Sequence, residues 1–505
     1  MNTLDKSKQS SSVISTTVQF EGNDKILVGM ICGLLGFWLF AQSMLNVNLV
    51  MGKSLHLDSS TLNFAVSIMA MVCGMFIVVI GRLGDILGHT RVLRIGYYLS
   101  IVGSIIIAVV PLSGIAGPLL ILGRILMGVS GAAIMPTSLA LIKRYWQGHR
   151  QQRAISLWSM GTWGGGAFAS FVGGLISKYL NSGLFEGWRW IFIFCALTAT
   201  LGVFLLRDLP QDPKPASNTP SKFDYLGSFI LVLMLVSLMI IIINGGAWGW
   251  LSLTTILLAV IFLVCISLFY RIENKRGKEA LIDLQLFKSK KFSGATIVNF
   301  CMNSMAGLLI IAMMLIQQGA QVDESSAGML TLGYGIALVS FIRVGEVIMR
   351  KCGKRFPILL GLSLVMIATL LLLPTHIMAH QYKVLVIISM TFFGLGLALF
   401  ATPITDVALS DLDNSDAGVG SGIFKMASSL GAAIGVAIST GLFMGISMSS
   451  NKINFLDAFL VWMGRQENVM IRAGAMIAIF FNLLIIVVAI FITMRTIPGD
   501  KESRK

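Results

Sequence analysis

The sequence predicts an all-α polytopic membrane protein, with two six-helix bundles and an inserted helix pair, fourteen spans in all. Three observations predict it. First, 56% of the 505 residues are hydrophobic and only 12% are charged, whereas soluble domains carry about 25% charged residues. The apolar residues run in blocks of roughly 20, the length a helix needs to cross ~30 Å of hydrocarbon. Second, most of the 38 Lys and Arg sit in alternate short loops between those blocks. That is a topology signal, with both termini on the cytoplasmic side. The net charge of +15 is therefore read as membrane orientation, and no nucleic-acid partner is expected. Third, the two halves echo each other in sequence.

Taken in order, the apolar runs place spans at 26–50, 61–80, 93–112, 118–141, 154–176 and 190–206. A pair follows at 225–245 and 251–270, then 293–317, 326–344, 357–374, 384–408, 417–446 and 470–494. Each must be helical, because backbone polar groups cannot stay unpaired in lipid. The resulting organisation is a tail at 1–25, a first bundle at 26–206 and a second bundle at 293–494. The stretch 207–292 holds a linker, helices seven and eight and a basic loop, and 495–505 is a second tail. The polar, Ser/Thr-rich start shows no cleavable signal peptide. RDLPQDPKPASNTPSK at 207–222 reads as a flexible linker. ALIDLQLFK, within 271–291, alternates like a segment lying on the membrane surface, and INFLDAFLVWM, within 447–468, is expected at the outer interface.

The echo between halves pairs IMPTSLALI around Pro136 in helix four with ATPITDVAL around Pro403 in helix twelve. It also pairs GRLGDILGHTR, Gly81 to Arg91, with GEVIMRKCGKR, Gly345 to Arg355. Helices one to six then match nine to fourteen, as parallel repeats do in transporters. Five of the six cysteines, Cys32, Cys73, Cys195, Cys265 and Cys301, fall in apolar blocks and Cys352 falls in a basic loop, so buried small side chains fit better than disulfides. No Walker loop or metal-ligand cluster is present. An enzyme is not expected, nor is a cofactor or a bound metal. His376 and His380 have metal-binding spacing only if their outer loop is helical.

On these residues the chain resembles the major facilitator superfamily, in its fourteen-helix drug:proton antiporter branch. The family pattern after helix two, Gly-x-Leu-Ala-Asp-Arg-x-Gly-Arg-Lys, is filled by Gly81, Leu83, Asp85, Gly88 and Arg91. The helix-four pattern Leu-x-x-x-Arg-x-x-Gln-Gly appears as Leu120, Arg124 and Gly128, with Met127 in place of Gln. GWRWIFIF, KFDYLG and LIDLQLFK stand where that branch has similar phrases, and FEGNDKILVG, FWLFAQS and KMASSLG are most similar to Gram-positive quinolone and multidrug efflux pumps. The resemblance covers nearly the whole chain and implies the major facilitator fold in a bacterial cell membrane. Two departures stand out. The branch's helix-one Asp is absent, with Gln42 in that region, and the helix-five Gly-Pro pair is replaced by Ala169 and Ser170.

Several constellations then carry the chemistry. Asp85, held among glycines, is positioned to accept hydrogen bonds from a helix N-terminus across the two halves. It forms either a latch with Gly81, Leu83, Gly88 and Arg91 or simply a solvated turn. Arg124 lies inside helix four, and the resemblance implies a proton-linked role; the alternative is a structural Arg on backbone carbonyls. Asp406 and Lys425 come from successive helices and are read as a proton-coupling pair, or else as a loop acid and a snorkelling lysine. Glu346 is a second coupling candidate unless its basic loop solvates it. Gln42, Asn46 and Asn48 in helix one, and Asn299 and Asn303 in helix nine, form amide faces that either line a cavity or glue helices. Trp158 and Trp163, with Met302, Met305, Met313 and Met314, make either a soft aromatic cavity or core.

The expected function is a monomeric secondary transporter that exports amphiphilic drugs, among them quinolones, dyes and cationic biocides, in exchange for protons by alternating access. A carrier of the same fold for a lipid or metabolite is the nearest alternative. A channel and a membrane enzyme are the different-class readings.

Overall fold

The computed structural model describes residues 20–181, 185–211, 223–249, 251–276, 280–282, 284–319, 330, 332–376, 379–410, 412–413, 416–447 and 468–499. Most of the predicted linker, the start of the predicted tenth span and the outer INFLDAFLVWM patch lie outside these residues, as do the side chains of Asn46, Asn48, Ser170 and His380.

Fourteen long helices run through the described residues. The first, α1, is built from Asp24–Leu35, a π-turn at Gly36–Phe40, a 3-10 turn at Ala41–Ser43 and Met44–Leu55. Asn23 starts it by accepting the Ile26 amide at 2.9 Å, an N-cap that satisfies one of the first turn's free donors. Next come α2, Ser59–Leu87, capped in the same way by Asp58, then α3, His89–Ala108, and α4, Ala116–Tyr145. Helix α5 joins Gly148–Ser159, a π-turn at Met160–Gly164 and Gly165–Tyr179. It is followed by α6, Gly187–Leu205, α7, Tyr225–Trp248, and α8, Leu253–Arg276. Helix α9 runs as Lys290–Ser304, Ala306–Met314 and a π-turn at Leu315–Gly319. The last five are α10, Leu332–Cys352, α11, Arg355–Leu372, α12, Ala379–Ser410, α13, Ala417–Ser447, and α14, Val469–Thr496. Thirteen of the fourteen are long and apolar enough to cross a membrane. The exception, α5, is rich in glycine and is enclosed by α1, α6 and α10.

The predicted ends of two spans need correction. The charged stretch after α2 is helical as far as Leu87, and the only turn residue is Gly88, at φ 98°. Likewise α10 continues to Cys352, so Glu346 lies in a helix and not in a loop. The apolar run marks where the hydrocarbon ends, and a helix whose charged residues reach toward water continues past it. The segment around ALIDLQLFK is anchored to the protein at its start. Leu281 and Ile282 bury in the first half's core, and the Ile282 amide donates to Glu273 Oε2 at 2.9 Å.

Two hydrophobic cores organise the chain. One gathers α1–α6 around Tyr97, Trp158 and Phe192, and the other gathers α9–α14 around Phe400 and Phe443. Their helix pairings repeat. In the first half α4 packs on α2 and α3, and α6 on α1 and α3; in the second half α12 packs on α10 and α11, and α14 on α9 and α11. The seam between halves follows the same rule, with α2 and α4 on α13 and α10 and α12 on α5. The inserted pair stands outside this symmetry. Helix α7 packs on α2 and α13, and α8 buries only 11% of its most apolar stretch, against 83% for α4. The lipid-facing character of α8 follows from that contrast.

Candidate functional site

A cavity of about 230 Å³ lies on the seam. Its walls come from both halves: Trp38 of α1, Met135 of α4, Thr162 and Trp163 of α5, Met302 and Asn303 of α9, Tyr334 of α10, Phe393 of α12, and Lys425, Ser428 and Ser429 of α13. Two of these helices leave regular α geometry where they line it. Trp38 belongs to the π-turn of α1, and Thr162 and Trp163 to the π-turn of α5. An inserted residue of this kind re-aims side chains within a helix and is frequent at functional sites.

Lys425 is 6% exposed, and its ammonium lies 4.4 Å from the Trp158 ring centroid and 5.8 Å from that of Phe424. The Trp158 ring is fully buried and anchored by its own indole N–H, which donates to Ser138 Oγ at 2.9 Å. Of the predicted cavity residues, Trp163 and Asn303 line the space and Trp158 supports Lys425 from behind. Asn299 instead binds α13, donating to Phe424 O at 2.9 Å and to Ser428 Oγ at 2.7 Å, and it accepts the Asn303 amide at 3.0 Å. The helix-nine amides thus do both jobs, one as glue and one as lining. Gln42 is half-buried in the 3-10 turn of α1 and is not among the lining residues. A 3-10 turn advances about 120° per residue where an α-helix advances 100°, so the face counted from α spacing is not the face α1 presents there.

One end of the seam is closed. Asp85 Oδ1 accepts the Gly418 amide at 2.8 Å and Oδ2 accepts the Val419 amide at 2.9 Å. These are the second and third residues of α13, so a carboxylate of the first half caps a helix of the second, where the free N–H groups and the helix dipole favour negative charge. The two backbones touch there. A Cβ on Gly418 would lie 2.4 Å from Gly81 O and 2.5 Å from Asp85 Oδ1. His89, one turn on, brings Nε2 to 3.3 Å from Asp85 Oδ1. Of the neighbouring arginines, Arg82 lies 3.8 Å from Asp416, just before α13, and Arg91 is exposed. Leu83 is half-buried and Gly88 makes the turn. Two further bonds join the halves at this end, Lys143 Nζ to Leu409 O at 2.8 Å and Ser421 Oγ to Pro136 O at 3.0 Å.

Arg124 is fully buried. Its guanidinium donates to Ala65 O at 3.0 Å, Ala41 O at 2.7 Å and Val66 O at 3.5 Å. Ala41 belongs to the 3-10 turn of α1, so the arginine ties that irregular turn to α2. This is the backbone-carbonyl arrangement weighed from the sequence.

The acids of the second half are arranged differently from the predicted Asp406–Lys425 pair. Asp406 Oδ2 pairs with Lys354 Nζ at 2.8 Å, in the turn between α10 and α11. Lys425 stands eight residues into α13, about 12 Å along its axis, while Asp406 is one turn from the end of α12, so the two side chains sit at different depths. Glu346 is fully buried and pairs with Arg343 and Arg350 on its own helix.

Sequence reasoning missed Trp38, Tyr334 and Phe393 as lining, and Lys354 and His89 as partners of the two aspartates. Ser428 and Ser429 were accessible to it, since they follow Lys425 at helical spacing.

Two pseudo-equivalent bundles around a seam cavity are the architecture of a membrane transporter. The chain belongs to the Major Facilitator Superfamily, whose profile matches residues 26–436. It is a multi-pass transporter and not an enzyme. It is 38% identical over 487 residues to the quinolone resistance protein NorB of Staphylococcus aureus strain bovine RF122 / ET3-1, covering 96% of this chain and 98% of that one. The protein of the same name from strain MRSA252 matches to the same extent. Among solved structures, the proton:xylose symporter XylE superposes with a TM-score of 0.62 at 18% identity, covering 94% of this chain and 95% of that one. A bacterial homologue of the iron transporter ferroportin, in its outward-facing state, superposes at 0.59 with 11% identity over 93% of this chain and 98% of its own. These likenesses are of fold.

Proposed function

We propose that this protein is a proton-driven exporter of amphiphilic compounds, quinolones among them, working by alternating access with both termini in the cytoplasm. The observation that carries the reading is the seam cavity, walled by both halves and closed at the termini's end by Asp85 on α13. The names of the relatives at 38% identity supply the quinolones. At about 230 Å³ the cavity is below the ~300–1,000 Å³ usual for drug-sized ligands, which fits a contracted state that widens on loading.

In this reading each role falls to a contact already described. Asp85 holds the cytoplasmic end closed, and rocking the halves apart breaks its two amide bonds. Asp406 is the leading proton acceptor, with Glu346 second. Protonating Asp406 neutralises the partner of Lys354 and frees the last turn of α12, whose Leu409 carbonyl is gripped by Lys143 of the other half. Proton uptake and release of the seam are thereby connected through one helical turn. Arg124 of α4 fixes α1 against α2. The unit is a monomer embedded in lipid, with protons and small amphiphiles as its partners.

The test is accumulation of a fluoroquinolone and of ethidium in cells expressing the protein, with and without a proton uncoupler. Lower quinolone accumulation that the uncoupler reverses is expected. Unchanged accumulation of both compounds contradicts the reading. A carrier of the same fold for another metabolite would show that second pattern.

A further inference from the structure

We infer that Lys425 makes the seam cavity selective for amphiphiles that carry a carboxylate on a planar aromatic body, as anions or zwitterions, over compounds that are only cationic. The inference rests on the exporter reading and narrows its substrate class.

Four observations carry it. Lys425 is the only charged residue among the described residues that line the cavity, and no Asp or Glu lines it. Its ammonium is 6% exposed and is held against the Trp158 and Phe424 rings, with no carboxylate within salt-bridge distance among the described residues. Two acids at the closed end of the seam are committed elsewhere, Asp406 to Lys354 and Asp85 to the α13 amides and His89. A buried ammonium facing only π-clouds lacks the anion that would compensate its desolvation, and a ligand carboxylate entering the cavity supplies it. Ser428 and Ser429, one turn further along α13, also line the cavity, so hydroxyls stand on the same helix as the ammonium.

The rest of the lining suits the body of such a molecule. Trp38, Trp163, Tyr334 and Phe393 offer aromatic faces, and Met135 and Met302 adapt to its outline. A monocation placed in the same space meets the Lys425 charge at close range with no acid to offset the repulsion. The sign of the charge also separates two roles. A cation that binds substrate when protonated favours proton and substrate travelling together, so in an antiporter Lys425 recognises the cargo, and the proton travels on a carboxylate.

The experiment uses the full-length protein, with a fluoroquinolone and its methyl ester, which lacks the carboxylate charge. Binding is read from tryptophan fluorescence in detergent, and transport from everted vesicles with a proton gradient. The wild type is expected to favour the acid over the ester by about tenfold or more in both measurements. Lys425→Met should bring that ratio to within about twofold of one, and Lys425→Arg should keep most of it. Wild-type binding of ester and acid with equal affinity overturns the inference, as does a Lys425→Met protein that keeps the preference. Binding preference without transport of any compound leaves Lys425 as the recognition residue and overturns the exporter reading instead.

Discussion

The turn between α2 and α3 and the turn between α10 and α11 echo each other in sequence, yet they direct their charges differently. At the first, Asp85 reaches out of its own half to cap α13, and Gly81 lets the backbones meet. At the second, counting from Gly345 as from Gly81, the position of Asp85 is taken by Met349, which is 3% exposed. The charges there stay within the half: Glu346 binds Arg343 and Arg350 on α10, and Lys354 binds Asp406 on α12. In the proposed cycle one copy of the repeat holds the halves together. The other holds a carboxylate inside one half, where a proton can change its pairing. Repetition of the fold supplied two equivalent places, and the proposed cycle gives them separate tasks.

The comparison can be broken most severely on the second turn. Asp406→Asn removes the acid that Lys354 holds, and proton-coupled export should be abolished while the protein remains in the membrane. Full retained activity, measured as uncoupler-sensitive quinolone efflux, moves the coupling to Glu346. At the first turn, Gly418→Val puts side-chain atoms where a Cβ alone lies 2.4 Å from Gly81 O. Both atoms in contact belong to rigid helices, so the clash is relieved only by parting the halves at this end, and export should fall by well over tenfold. A value near wild type would mean that this contact is not needed in the cycle.

Asp85→Asn is milder, because the amide oxygen still accepts one bond. Weakening one charged bond to a neutral one and losing the other costs about 3 kcal/mol, on the order of a hundredfold in the ratio of closed to open. Export should drop, yet the pH dependence of what remains should be preserved, because Asp406 is untouched. An altered pH profile would merge the two tasks that the comparison separates. The smallest effect is expected for Arg91→Gln. Arg91 is exposed, and export should stay within about twofold of wild type; a larger loss would restore Arg91 to the latch.

Much of this arrangement is legible in the sequence. The fourteen helices are readable because hydrocarbon demands long apolar blocks, and the contact of Asp85 with a helix N-terminus of the other half because Asp85 stands among glycines in a recognisable pattern. Helix ends were not readable, as Leu87 and Cys352 demonstrate, since hydropathy reports the solvent a helix is in and not its hydrogen bonding. The partner of Asp406 was misjudged because neighbours in sequence, two helices joined by a short turn, need not place residues at one depth. Lys354, from another turn, sits closer. The aromatic lining was hidden for a related reason. With 30 Phe and 9 Trp in the chain, nothing in their spacing separates Trp38 and Phe393 from packing residues, and the π-turns that aim Trp38 and Trp163 leave no periodic mark.

The central claim is that the Asp85 contact with α13 sets the closed state of the cytoplasmic end. Spin labels introduced at Leu87, on the end of α2, and Ser410, on the end of α12, after removal of the exposed Cys352, report the separation of the halves directly. The distance distribution should be dominated by a short population in the otherwise wild-type protein. Asp85→Asn should move most of that population to longer distances. A distribution that Asp85→Asn leaves unchanged would contradict the account.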